Sequence, residues 1–195
     1  DTPPGVSQFY PLREFTVSEI AVIVYSLRKP SGKLSGSDIY LNIYTVPEDD
    51  GDDTAWYDSR LQALPAEANF GDPTFGSEGL YNFVAASGGI GDDSESGAEN
   101  TLNFYDSGRS EIESDEPEIP KPDPADQATL EELKSGPVDW ETTDETRDYS
   151  DETVLGLSLQ TGSGESSELE AYFDFVGVGL ETGELLLLDL GTGPQ

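Results

Sequence analysis

Carboxylates are the only ionisable side chains abundant enough in this sequence to carry chemistry. There are 41 Asp and Glu against nine Lys and Arg, with no His and no Cys. Lacking both of those residue types, the chain cannot build Ser-His-Asp or Cys-His nucleophiles or an ordinary zinc centre. Ser26-Leu27-Arg28-Lys29 spells an S-x-x-K string, but it reads better as a strand ending in basic residues. No Gly-rich loop opens a helix in a phosphate-cradling arrangement. Paired carboxylates can hydrolyse glycosides, yet among this many acids some pair stands at any chosen separation. The expectation is a protein that is not an enzyme.

Calcium fits the composition better, because it takes about six to eight oxygen ligands. The run Glu48-Asp49-Asp50-Gly51-Asp52-Asp53 superficially resembles an EF-hand loop. Counted from Glu48, however, the sixth position is Asp53 rather than Gly, and the twelfth is Ser59 rather than Glu. Asp50 and Asp52 therefore stand as candidate ligands of a loose cation site, against the plainer reading of a solvated hairpin tip. Gly91-Asp92-Asp93-Ser94-Glu95 reads the same way. Asp174 lies inside the apolar run Ala171-Tyr172-Phe173-Asp174-Phe175-Val176. A charge there is costly unless paired or metal-bound. It either faces outward with Tyr172 and Val176 or forms a buried structural site.

Two aromatics have the chemistry of a sugar platform. Trp56 and Tyr57 are adjacent, with Arg60 three residues on. Neighbouring strand residues face opposite ways, so one ring is core and the other available for stacking. Trp140, which follows a helix signal, is expected to pin that helix to the body of the fold.

The elements that must position these residues are short. Phe15 to Leu27, Asp38 to Val46, Ala55 to Leu64, Leu80 to Ala86 and Asn100 to Asp106 are apolar runs between Gly, Pro, Asp and Ser clusters. Val154 to Gln160, Leu169 to Leu180 and Glu184 to Leu190 follow, the last two around a Glu181-Thr182-Gly183 turn. Asp38 to Val46 alternates strictly, the period of a half-buried strand. Residues 110–126, with four prolines among acids, read as a long acidic Pro-rich loop. Residues 127–135 read as one short helix, with Asp123 or Asp126 as cap and Gly136-Pro137 as stop. About eight strands in one domain over 1–195 predict an all-β, two-sheet antiparallel β-sandwich, specifically a jelly roll; a closed barrel is the alternative.

Tyr172-Phe173-Asp174-Phe175-Val176-Gly177-Val178 and the Gly-turn hairpin after it resemble the closing strands of carbohydrate-binding-module-like jelly rolls on bacterial and archaeal surface proteins. The likeness covers about the last 25 residues of the chain. In that family the strand often reads aromatic, x, Asp, x, Val, x, Val, and its Asp commonly helps hold a structural calcium near the N-terminal strand. The resemblance thus implies calcium at Asp174, with Glu14 as a partner from the N-terminal side. Phe175 departs from it, standing where the family often has a second polar residue. No sugar-binding residue carries over.

The net charge of −32 bounds the partners. Phosphate backbones recruit Lys and Arg, so nucleic acid is excluded, and an anionic membrane repels the chain. No apolar stretch approaches the length of a membrane span. Such an excess of acid with few lysines is similar to the composition of halophilic proteins; a calcium-rich or marine setting is the alternative. Asp1 in place of an initiator Met is consistent with a removed signal peptide or with a trimmed chain. The expected protein is therefore extracellular or at a cell surface. Residues 1–10 form an extended arm whose Val6, Phe9 and Tyr10 can dock on a neighbour's sheet edge. The first functional expectation is a structural or adhesive subunit that self-associates or joins other surface proteins. A carbohydrate-binding module that takes polysaccharide is the second, and a viral capsid-type subunit the third.

Overall fold

A computed structural model describes residues 6–9, 13–29, 39–46, 60–65, 79–86, 99–107, 126–141, 145–161 and 172–189. Eleven strands occur among them: β1 Val6–Phe9, β2 Ile20–Lys29, β3 Ile39–Val46, β4 Arg60–Pro65, β5 Gly79–Ala86, β6 Glu99–Asp106, β7 Pro137–Trp140, β8 Glu145–Asp148, β9 Thr153–Thr161, β10 Tyr172–Leu180 and β11 Leu185–Asp189. A 3-10 turn, Val17–Glu19, leads into β2, and the α-helix α1 covers Leu130–Ser135.

The strands form an all-β sandwich. One sheet runs β1-β9-β3-β4-β6 and the other β5-β2-β10-β11, each antiparallel throughout. A parallel contact of three residue pairs, Asn82–Val84 of β5 with 99–101 of β6, joins them. β7 and β8 form a separate small ladder. Sequence-adjacent hairpins join β3 to β4 and β10 to β11.

The core follows from alternation. Leu41 and Ile43 of β3, Leu61 and Ala63 of β4, and Leu157 and Leu159 of β9 point into it from one sheet. Ile23 and Tyr25 of β2 and Val176, Val178 and Leu180 of β10 meet them from the other. The strict alternation of β3 predicted a half-buried strand, but Asn42 and Tyr44 on its other face are buried as well.

The expected aspartate cap on the helix is replaced by Thr129. Its Oγ1 accepts from the Glu132 backbone N–H at 3.2 Å, and the Glu132 carboxylate accepts from the Thr129 N–H at 2.7 Å. This capping box satisfies two donors that the helix cannot satisfy itself. Leu130 and Leu133 are buried, and Lys134 in the last turn pairs with Glu181 in the β10–β11 turn. That turn closes with Gly183 N–H donating to the Leu180 carbonyl, at a φ of 83° that favours glycine.

Candidate functional site

The densest chemistry among the described residues is a charged cluster at one end of the core. β6 enters as Leu102-Asn103-Phe104-Tyr105-Asp106, so alternation carries Asp106 to the same inward face as Leu102 and Phe104. Asp106 is fully buried. Arg147, on β8, reaches it: Nη1 donates to Asp106 Oδ2 at 3.1 Å, and Nε donates to Glu152 Oε1 at 2.8 Å. Nη2 also stands 2.8 Å from Glu152 Oε1. Thr45 of β3 donates its hydroxyl to Glu152 Oε2. Tyr149 donates to Asp106 Oδ2 at 2.7 Å and accepts from Trp140 Nε1 at 3.1 Å. The Arg147 guanidinium lies 4.8 Å from the centre of the Tyr149 ring, and Trp140 meets that ring edge-on at 6.1 Å.

Burial alone would lower the Arg147 pKa; Glu152 first, then Asp106, outweigh it and hold the guanidinium above its ordinary value. One cation thus serves two buried carboxylates. Each acid is occupied by donors, which leaves the cluster suited to fastening β3, β6, β7 and β8 together rather than to attacking a substrate.

A second polar feature lies on the opposite face of the same sheet. Register places Ser158, Asn42, Gln62 and Tyr105 in one row across β9, β3, β4 and β6. Asn42 Nδ2 donates to Ser158 Oγ at 3.4 Å, Tyr44 shares that hydroxyl at 3.1 Å, and Tyr105 donates to Gln62 Oε1 at 2.9 Å. Asn42 Oδ1 is buried with no hydrogen-bond partner. An open cleft of about 260 Å³ lies beside α1, lined by Asp126, Glu132, Asp139 and Trp140 among others.

The residues singled out from sequence do not come together as one described site. Glu14 is exposed beside Arg13, whose Nη1 donates to the Glu14 carbonyl. Asp174 sits at a register shift in the β10–β2 ladder, between Phe173 and Phe175. Arg60 opens β4, and its Nε donates to Ser107 Oγ at 2.8 Å. Val6 and Phe9 lie in β1, which pairs with β9 of the same chain. Asp50, Asp52, Trp56, Tyr57 and Tyr10 lie outside the described residues, as does 110–125 of the acidic loop. Among the described residues, no group of three or more Asp, Glu, His or Cys is placed to hold a metal ion. Trp140, expected to pin the helix, ends β7, is fully buried and donates to Tyr149.

Sequence reasoning missed Asp106, Arg147, Tyr149 and Glu152. Asp106 carried a signal: it ends an apolar strand on the core-facing phase. Arg147 and Glu152 carried none, because Asp106 and Thr45, which hold them in the core, are remote in sequence. No family model, curated protein or solved structure matches this chain.

Proposed function

We propose that this chain is a secreted or cell-surface structural or adhesive subunit that assembles with copies of itself or with other surface proteins, its acidic faces neutralised by calcium or high salt. The observation that carries this reading is β1. Four residues form an antiparallel ladder on β9, Val6 opposite Gln160 through Phe9 opposite Leu157, at the end of the sheet. A short terminal strand held by its own ladder can make the same main-chain bonds on β9 of a neighbour, which links subunits without new surface chemistry. Calcium suits the seam because it accepts carboxylates from both sides.

Deleting residues 1–8 tests this. Light scattering of the intact chain should rise with millimolar calcium or molar salt and fall with chelator or dilution. The deleted chain should fail to polymerise under the same conditions, with an unchanged circular dichroism spectrum. An intact chain that remains monomeric throughout would exclude the reading.

A carbohydrate-binding module is the second reading, on the chemistry of Trp56, Tyr57 and Arg60, because aromatic faces with polar groups beside them hold uncharged sugars. Trp56 and Tyr57 would supply stacking. Binding of a broad glycan panel that is lost on Trp56→Ala or Tyr57→Ala would support it, and an empty panel would remove it.

A further inference from the structure

We propose that two copies of this chain join edge to edge through β11, antiparallel, about a twofold axis at Leu186; this deepens the self-association reading by naming a seam and its occupant. β11 ends the second sheet, with only β10 beside it among the described residues. Leu185 and Leu187 are 59% and 56% exposed, the large exposed hydrophobic side chains among the described residues. They belong to a wider apolar face. Across β10 they meet Gly177 and Gly179, and beyond those Val22 and Val24, half-buried on β2. The glycines let the two flanking rows close over the middle strand: a Cβ at Gly179 would stand 2.6 Å from Val22 Cγ1, and one at Gly177 3.3 Å from Leu187 Cδ1. The result is an apolar surface three strands wide that reaches the edge.

Charge selects the occupant. A basic partner would be drawn to the carboxylates that coat this chain, and gains nothing from a seam without them. A second copy carries the same −32 and approaches most readily where no carboxylate meets another. Residues 185–188 are four consecutive leucines. With the axis at Leu186, Leu185 of each copy opposes Leu187 of the other, Glu184 stands across from Leu188, and Asp189 from Gly183. No two carboxylates face each other. An axis at Leu187 would instead set Asp189 against Leu185. The contact is isologous, extends the β10–β11 ladder into the second copy with main-chain hydrogen bonds and closes on itself. Growth past the dimer then depends on the other sheet, whose last strand is β1.

The chain has no cysteine, so single introduced thiols report the register. Directly opposed antiparallel residues lie about 4.5–5.5 Å apart at Cα, within the span a disulfide bridges. In about 2 M salt with chelator, sedimentation velocity of the intact chain should give the mass of two chains. Leu186→Cys should oxidise to a covalent dimer. Leu185→Cys and Leu187→Cys should each cross-link poorly alone and well when mixed. The exposed pair Leu185→Lys with Leu187→Lys should sediment as a folded monomer. Leu186→Cys cross-linking no faster than the turn control Thr182→Cys would overturn the seam, as would a dimer that survives the two lysines. If the lysine variant still polymerises with calcium as the intact chain does, the seam falls and the broader reading stands. A cross-linked dimer that never grows supports the seam and removes β1-mediated assembly.

Discussion

Arg147 Nη1 stands 3.1 Å from Asp106 Oδ2, and Asp106 has no exposed surface while Arg147 keeps 16% of its side chain accessible. The pair therefore sits at the margin of the core, where a guanidinium can approach two carboxylates without losing all contact with water. Removing Arg147 takes away the cation that the two buried carboxylates share. Arg147→Met should cost about 3–5 kcal/mol, read as a drop in the denaturant midpoint. Replacing Arg147, Asp106 and Glu152 together with apolar residues of similar volume should recover most of that loss, because breaking the group is costlier than deleting it. A single-variant loss below about 1 kcal/mol would mean that the cluster behaves as a surface pair.

Tyr149 links that cluster to Trp140 by donating to one and accepting from the other. Tyr149→Phe keeps the ring under Arg147 but strips a donor from Asp106 and an acceptor from Trp140 Nε1. The expected cost is about 1–3 kcal/mol, smaller than for Arg147→Met. The Trp140 band in near-ultraviolet circular dichroism should shift with it, and an unchanged band with unchanged stability would remove Tyr149 from the fastening.

Tyr25 is fully enclosed between the sheets, and that burial raises its phenol pKa above the ordinary 10.0. The raised value belongs to an acid kept neutral in the folded state. Its contribution is intact below pH 10 and is lost as the unfolded chain ionises first. Stability should fall above pH 10 by up to about 1.4 kcal/mol per pH unit from this one group. Tyr25→Phe should flatten that alkaline limb in thermal melts taken from pH 9 upward, whereas a limb of unchanged slope would assign it to other tyrosines.

The strands legible in sequence were those whose own residues alternate or run apolar: β2, β3, β4, β5, β6, β9, β10 and β11 all fall within or beside the predicted segments. β7 and β8 were not legible. Glu145-Thr146-Arg147-Asp148 has no apolar residue, and Pro137-Val138-Asp139-Trp140 opens on a proline. These two strands exist because they pair with each other, because Arg147 and Tyr149 dock on Asp106, and because Trp140 docks on Tyr149, a tertiary effect that no local period announces. Burial of the outer face of β3 escaped for a similar reason: the partners of Asn42 and Tyr44 come from β9, more than 100 residues away. Strand order was equally out of reach, since strand count does not say that β3 lies between β4 and β9. The α1 cap was misread because acidic residues upstream outcompeted Thr129 in the pattern, although Thr129 and Glu132 are spaced as a capping box.

Salt should separate the two kinds of electrostatics in this molecule. On the surface, 41 acids against nine bases repel one another, and two carboxylates 4 Å apart cost about 1 kcal/mol even in water. At about 1 M salt the Debye length is roughly 3 Å, and that repulsion largely disappears. Thermal midpoints should therefore rise clearly between about 0.05 and about 2 M sodium chloride. Calcium chloride at matched ionic strength distinguishes screening from binding: a further rise means that carboxylates hold the ion, and no further rise means that they are only screened. Equal midpoints at the two sodium chloride concentrations would contradict the self-repulsion argument. The Asp106–Arg147–Glu152 cluster gives an internal control, because buried charges are screened far less than exposed ones. The cost of Arg147→Met should stay nearly constant across the same range, while the stability of the whole chain climbs around it.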